Sequence, residues 1–354
     1  MDFKGQKVNI LIVKLSAIGD IIHTLPSLAA LRQLYPDAHI TWVVEEAAAD
    51  LIKNHPYLDS VLVSRRKRWN KDIRSGQFRQ PLEEIHSFIK ALWQRYYDLV
   101  IDFHGLFKSS IIVFLSRGKR KLGYNSLQEL SGLFLNEKIP EDMNKHAIDR
   151  YLDFPRYLGA KVDRAQFVLP SNKEAEEKVQ NLLRKYNLED KKFIAINPVA
   201  LWKTKLWSNE KFARLADLIN DKLQVKVAFT CSEKDPIEEI TSLMTTEKIN
   251  LGRQTSLLEL ACLYKKAKMV ISTDSGPMHL AAAVGTPVIA LFGPTDPVRT
   301  GPYGSGHTVI RTELPCSPCF FKKCPTKKCM ENISPAQIFA AVEKINKGVM
   351  NDFK

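Results

Sequence analysis

The chain has 354 residues, 45% apolar and 26% charged, a balance that excludes intrinsic disorder and fibrous repeats and, at about 150 residues per domain, predicts two domains. Fifty-two Lys and Arg against 39 Asp and Glu leave a formal charge of +13, which points to anionic partners and not to a particular fold. No apolar run approaches the roughly 18 residues that cross a bilayer, and the strand-like run soon after Met1 leaves no room for a signal peptide, so a cytosolic chain is expected.

Val8 to Lys14 is apolar, rich in β-branched residues and too short for a helix, which predicts a parallel strand buried on both faces. Ser16 to Asp20 then reads as a strand-to-helix turn, and Ile21 to Tyr35 carries apolar residues at helical spacing. Strands follow at His39 to Val44, Ser60 to Val63 and Asp98 to Asp102, with helical stretches between them. Ile111 to Leu115 is expected to be a short buried strand or helix segment. After a polar connector with a helix, Pro170 to Lys191, the pattern restarts. Strands are predicted at Phe193 to Asn197, Val225 to Thr230, Met269 to Ser272 and Val288 to Phe292. Helices are predicted at Glu210 to Leu223, Leu257 to Lys266 and Pro277 to Val284. Strands alternating with helices mean βαβ units and doubly wound sheets, so two α/β domains facing a cleft are expected, at 1–170 and 171–333. A tail at 334–354, opened by Ser334 as N-cap and Pro335 at the first helical position, is expected to pack back on the first domain.

Charge is clustered along this frame. Arg65 to Gln80 holds seven basic residues against Asp72 alone, and further knots lie at Arg117, Lys119, Arg120, Lys121 and at Lys322, Lys323, Lys327, Lys328. A single run of this kind is as readily a solvated face as a binding site. Two knots in the first half favour an anionic ligand there.

Ligands of open α/β sheets bind beyond the carboxyl ends of the strands. At one such end, Gly19 permits a tight turn and Asp20 opens a helix; taken alone, Asp20 reads as a cap. At another, the run Ser272-Thr273-Asp274-Ser275-Gly276-Pro277-Met278-His279 exposes backbone amides at the positive end of a helix dipole, an arrangement suited to a diphosphate. It has neither the Gly-x-x-x-x-Gly-Lys of a P-loop nor the Gly-x-Gly-x-x-Gly of a dinucleotide fold. At a third, Lys203 and Lys205 follow the strand ending at Asn197, where a lysine neutralises phosphate as a point charge.

Four segments together carry a resemblance: Ile12 to Asp20 with His23-Thr24-Leu25-Pro26, Trp42-Val43-Val44-Glu45-Glu46, Asp102 to Ser109, and Ser272 through Gly293-Pro294-Thr295-Asp296-Pro297. In this order they resemble the lipopolysaccharide heptosyltransferases, glycosyltransferase family nine, over nearly the whole chain. The Trp-Val-Val-Glu-Glu block is closer to heptosyltransferase I and the cysteine-rich tail to heptosyltransferase II. The resemblance implies a GT-B architecture of two Rossmann-like domains, an acceptor domain followed by an ADP-heptose domain, and inverting transfer without metal or other cofactor. It implies Asp20 as the general base, with Lys14 near the reaction centre. It implies Lys205, Ser275 and Gly276 at the donor diphosphate, Asp274 at the heptose hydroxyls with His279 in the same motif, and Asp235 at the adenosine ribose in place of the family's glutamate. Family threonines align with Ala200 and Leu201, so the hydroxyl contacts are either missing or come from elsewhere, such as Thr204.

On this reading Arg65, Arg66 and Arg68 suit the phosphates and carboxylates of Kdo-lipid A or of an already heptosylated core. The positive charge would also hold the protein peripherally on the anionic cytoplasmic leaflet. Nucleic acid is not expected, because the basic knots hold few aromatics (Trp69 and Phe78 in the first). The alternatives are heptosyltransferase II or III and, from another class, a nucleotide-sugar-binding protein without catalysis, against which the intact Asp20 argues. Cys231 and Cys262 read as core residues. Cys316, Cys319, Cys324 and Cys329 are close enough in sequence to be weighed as a zinc or iron–sulfur site, but their spacing matches neither usual pattern.

Overall fold

Asn-Ile-Leu-Ile-Val at 9–13 has every residue after the first buried, and the strand it forms pairs in parallel on both sides, with His39–Glu45 and with Tyr97–Asp102. The structure, a computed structural model, describes residues 7–125, 132–232 and 235–348, Asp235 by its backbone alone. The chain divides after Ser171 into two units.

The first unit has strands β1 (Asn9–Val13), β2 (His39–Glu45), β3 (Ser60–Ser64), β4 (Tyr97–Asp102), β5 (Gly118–Tyr124) and β6 (Glu137–Ile139). They form one parallel sheet in the order β3-β2-β1-β4-β5-β6. Its helices are α1 (Ile18–Leu34), α2 (Arg66–Arg74), α3 (Arg79–Trp93), α4 (Phe107–Leu115) and α5 (Ala147–Tyr157). The second unit opens with α6 (Lys173–Lys185) and has strands β7 (Phe193–Asn197), β8 (Lys226–Phe229), β9 (Ile249–Asn250), β10 (Met269–Thr273), β11 (Val288–Phe292) and β12 (Thr308–Arg311). These make a second parallel sheet, β12-β11-β10-β7-β8-β9. Its remaining helices are α7 (Asn209–Leu223), α8 (Asp235–Leu243), α9 (Leu257–Lys266), α10 (Gly276–Ala283), α11 (Pro297–Thr300), α12 (Lys328–Glu331) and α13 (Pro335–Asn346).

Counted within its own unit, each sheet runs 3-2-1-4-5-6, the doubly wound order. The direction of winding reverses between β1 and β4 and again between β7 and β10. Successive crossovers leave on opposite sides there, opening a crevice at the carboxyl ends of those strands.

Two expectations are corrected. Ile111 to Leu115 lies in α4, but it is not buried throughout: Ile112 and Val113 face the core of the first unit, while Ile111 and Phe114 are 43% and 57% exposed. The last helix is part of the second unit and not a separate segment; residues 349–354 of the expected tail lie outside the described residues. Ser334 caps α13 as expected, accepting the Gln337 N–H, and Ile338, Ala341 and Val342 join the second unit's core, with α13 against α7. The physical reason is apolar burial, since Ile338 and Val342 have no exposed surface.

The second unit's stability therefore depends on α13. Ile338→Ala is expected to cost about 2–5 kcal/mol through lost burial and a residual cavity. Urea unfolding monitored in the second unit, by Trp207 fluorescence, checks this; an unchanged midpoint would mean that the helix contributes no packing.

Candidate active site

The first unit gathers ionisable groups at its crevice. Lys14 leaves the end of β1 and is almost fully buried; its Nζ donates to the Phe103 carbonyl at 2.9 Å and to the Tyr151 hydroxyl at 2.6 Å. Asp20, at the third position of α1, takes the Ala17 N–H on Oδ2 at 3.0 Å and the Tyr151 hydroxyl on Oδ1 at 3.1 Å. Its Oδ1 lies 3.8 Å from Lys14 Nζ, and 39% of its side chain remains exposed. The capping role read from the sequence is thus real and occupies only one oxygen. Burial raises the Asp20 carboxyl, but the Lys14 charge, the Ala17 N–H and the Tyr151 hydroxyl outweigh it and hold the group below its ordinary value. Asp20 is ionised at neutral pH and open to solvent. Burial lowers Lys14 in turn, against the raising pull of Asp20 and Asp102.

From β4 comes the neighbouring loop. Asp102 is buried and accepts the His104 and Gly105 N–H groups and the Ser109 hydroxyl at 2.9–3.1 Å, which fixes the turn that Gly105 makes at φ +63°. His104 then carries two buried ring nitrogens without a hydrogen-bond partner among the described residues. Burial, then the charges of Lys14 and Lys108, push its imidazole down to about 3, so it is neutral at physiological pH. Lys108 donates to Ser16 Oγ at 2.8 Å and lies 3.5 Å from Glu45 at the end of β2.

The three arginines expected at the acceptor are engaged by the chain's own carboxylates. Arg66, with Lys67, meets the buried Glu45 at 3.2 and 3.4 Å; Arg65 meets Glu46 at 3.1 Å; Arg68 meets Glu84 at 2.5 Å. Glu45, Glu46, Ser64, Arg65, Lys67 and Arg68 line a hollow of about 110 Å³.

The second unit gathers its own groups where β7 and β10 end. The Lys205 ammonium pairs with Asp274 Oδ2 at 2.6 Å, and the Thr295 hydroxyl donates to the same oxygen at 2.6 Å. Ser275 caps α10 by position, its hydroxyl 3.2 Å from Ser272 Oγ, and Gly276 begins the helix, with His279 buried in its first turn. The amides of Gly276 and its neighbours thus stand beside the lysine, the arrangement that binds phosphate. Thr204 is no substitute for the missing threonines. It is 3% exposed, and its hydroxyl is committed to the Phe321 carbonyl at 2.9 Å because the loop before α12 folds over it. Leu201, at one of the two threonine positions, is 91% exposed. Asp235 opens α8, and its side chain lies outside the described residues.

The cysteine tail is placed without a metal-like arrangement: among the described residues no three His, Cys, Asp or Glu side chains are gathered to hold an ion. Cys316 and Cys324 are exposed, and none of the six cysteines is joined in a disulfide among the described residues. Hydrogen bonds from the Lys327 and Thr326 amides lower the Cys324 thiol, whereas burial raises Cys329.

Sequence reasoning missed Tyr151, His104 and Thr295. Tyr151 sits on α5, 131 residues from its partner Asp20, and no local pattern points to it. His104 and Thr295 lay inside segments already singled out, two residues after a strand-ending aspartate and beside a Gly-Pro turn.

Each of the two doubly wound sheets thus has a crevice at its reversal point, one beside a solvent-facing carboxylate and one beside a lysine–aspartate pair next to a helix N-terminus, the arrangement of a protein built from two Rossmann-like units. The sequence profile of glycosyltransferase family 9 (heptosyltransferase) matches residues 85–330, and the chain belongs to that family. It is 30% identical over 313 residues to lipopolysaccharide heptosyltransferase 1 of Escherichia coli K12, covering 86% of this chain and 93% of that protein. A family 9 glycosyltransferase from Veillonella parvula superposes at a TM-score of 0.81 with 25% identity, over 98% of this chain and 99% of that one. An E. coli heptosyltransferase solved with ADP superposes at 0.76 with 26% identity, over 96% and 100%. The fold is GT-B, and the protein is a glycosyltransferase.

Two predictions follow from the charges. Lys14→Met is expected to raise the Asp20 pKa, because the second cause acting on that carboxyl is the lysine's charge; carbon-detected NMR titration reads it, and an unmoved Asp20 would show that the two do not interact. The carboxyls of Asp20, Glu45 and Glu84 are all held low, Glu84 at about 2 against 4.5 by the Trp69 N–H and by Arg68. Their stabilisation is complete above the unfolded pKa and is lost as pH falls through the folded one. The buried Asp102, raised by burial, acts with the opposite sign. The urea midpoint is therefore expected to drop between pH 4.5 and 2, less steeply in Glu84→Gln.

Proposed function

We propose that this protein transfers heptose from ADP-L-glycero-D-manno-heptose to the Kdo/lipid A inner core of lipopolysaccharide, with inversion and without a metal, in the manner of heptosyltransferase I. It would work at the cytoplasmic face of the inner membrane, held there peripherally. The observation that carries the reading is Asp20: an ionised, accessible carboxylate at the reversal point of the first sheet, with Lys14 and Tyr151 fixing its orientation.

In this reading Asp20 accepts the proton of the acceptor hydroxyl as that oxygen bonds to the anomeric carbon. The bond from that carbon to the diphosphate breaks, and its electron pair leaves with ADP. Tyr151 donates to Asp20 Oδ1, which leaves Oδ2 with its remaining lone pair to take the proton; such a base contributes about 10²–10⁴-fold. Lys205 and the α10 amides supply the positive charge that the departing diphosphate requires. In the free protein Lys205 is neutralised by Asp274. Donor binding exchanges that partner for phosphate and frees Asp274 for sugar hydroxyls, while Thr295 keeps the carboxylate in place. Ser275 and His279 belong to the same donor site, with Asp235 at the ribose. Arg65, Arg66 and Arg68 serve the acceptor by exchanging their glutamate partners for its anionic groups, starting from the hollow beside Glu45.

Asp20→Asn is expected to lower transfer at least about 10²-fold with unchanged affinity for ADP, by calorimetry. Equal turnover of mutant and parent would remove Asp20 from the mechanism. The acceptor is decided by product analysis with ADP-heptose and two acceptors, one bearing Kdo alone and one already heptosylated. Product from the first supports heptosyltransferase I; product from the second alone identifies a heptosyltransferase II or III; ADP binding without product from either leaves a donor-binding protein.

A further inference from the structure

α4 shows two chemically different faces. Toward the first unit's site it presents Lys108, bound to Ser16 and Glu45, and Ser109, bound to Asp102. On the other side, at positions i, i+4 and i+7, stand Phe107, Ile111 and Phe114, which are 51%, 43% and 57% exposed. The apolar surface continues beyond the helix. The Phe134 ring packs on Phe114 with centroids 4.6 Å apart, and Trp93 at the end of α3, 43% exposed, donates its indole N–H to the Leu115 carbonyl at 2.8 Å. Single exposed apolar side chains are ordinary, but a contiguous stripe of aromatics on one surface marks an interaction site.

The rim of this surface is basic and uncompensated. The Arg117 guanidinium lies 5.2 Å from the centre of the Trp93 ring. Lys119 follows it along β5, and Lys90 precedes Trp93 by one turn of α3. None of the three has a carboxylate partner among the described residues, in contrast to Arg65, Arg66 and Arg68. Aromatic and aliphatic side chains with an indole whose N–H is already satisfied suit the boundary between head groups and acyl chains, and unpaired Lys and Arg at the rim suit anionic lipid. Among the described residues no helix is long and apolar enough to span a membrane, so contact here would be with the surface.

We propose that the outer face of α4, with Trp93 and the basic rim, is the surface by which this protein docks on an anionic lipid bilayer. The docking itself stands on the exposed residues; its use, to bring an amphiphilic acceptor to the crevice served by the other face of the same helix, rests on the function proposed above.

The test is co-sedimentation of the full chain with vesicles of phosphatidylethanolamine and phosphatidylglycerol, and with vesicles of phosphatidylcholine alone. The parent is expected to bind the anionic vesicles and to lose binding at high salt. The triple variant Phe107→Ser, Ile111→Ser, Phe114→Ser should partition at least about tenfold more weakly, since each exposed apolar side chain it removes is worth about that factor when buried. Arg117→Glu with Lys119→Glu should lose only the preference for anionic lipid. Both sets change exposed residues, and unchanged melting temperatures confirm folding. Equal binding by parent and triple variant overturns the proposal. So does a parent that ignores both vesicles and sediments as a dimer that the triple variant dissociates, since a second copy would then be the occupant. Turnover separates the two readings. The triple variant should keep its rate on a deacylated, soluble acceptor and lose rate on the vesicle-embedded one, whereas vesicle binding without turnover of any acceptor would refute the enzymatic reading and leave the docking intact.

Discussion

The reversal of strand order within each parallel sheet is the constraint on which this molecule is built. All strands of a parallel sheet end on one side, so every loop leaving a strand end meets the others there, and only at the reversal do two neighbouring loops part. The first unit places Lys14 and Asp20 on one side of that opening and Asp102 and His104 on the other. The second places Lys205 and Asp274 in the same relation, after β7 and β10. One topology used twice thus gathers lysine and aspartate at both openings, and the difference between them lies in the residues at the strand ends.

Those residues are costly to keep. Lys14, Asp102, Glu45 and Asp274 are each at most 5% exposed, and a buried charge is tolerated only with partners in good geometry. The structure supplies them locally, through the backbone amides that meet Asp102, and across the fold, through Tyr151, which accepts from Lys14 and donates to Asp20. Replacing such clusters with apolar groups would often stabilise a protein. These charges, together with the two ring nitrogens of His104 that have no partner among the described residues, set both openings apart from the apolar cores beneath them.

The net charge of +13 is organised in the same economical way. Where basic residues stand near the first crevice, Arg65, Arg66, Lys67, Arg68 and Lys108 share Glu45, Glu46 and Glu84, so each cation has a carboxylate partner although positive charge remains in excess. Where they stand around the apolar face of α4 they are unmatched, and the field projects outward. A formal charge read from composition does not distinguish these two uses.

The strands were legible in the sequence because a strand buried on both faces is an uninterrupted apolar run: Phe193–Asn197 and Val288–Phe292 lie where such runs predict them, and the βαβ alternation announces the doubly wound fold. The caps at Ser334 and the turn at Gly276 were legible too, because their chemistry is local. The resemblance of the strand-end segments carried Asp20, Lys205 and Asp274. What only the tertiary structure decided depends on contacts between distant positions: Tyr151 meeting Asp20, Thr295 meeting Asp274, the loop that takes Thr204 out of play, the glutamates that occupy the arginines, and the union of α13 with the second unit's core. The side of α4 left uncovered belongs with these, since a short apolar segment does not announce which of its residues will find neighbours. The reason is the same in each case. Periodicity and capping are set by residues three or four apart, whereas the partner of a charge or of an apolar face is chosen by how the whole chain folds around it.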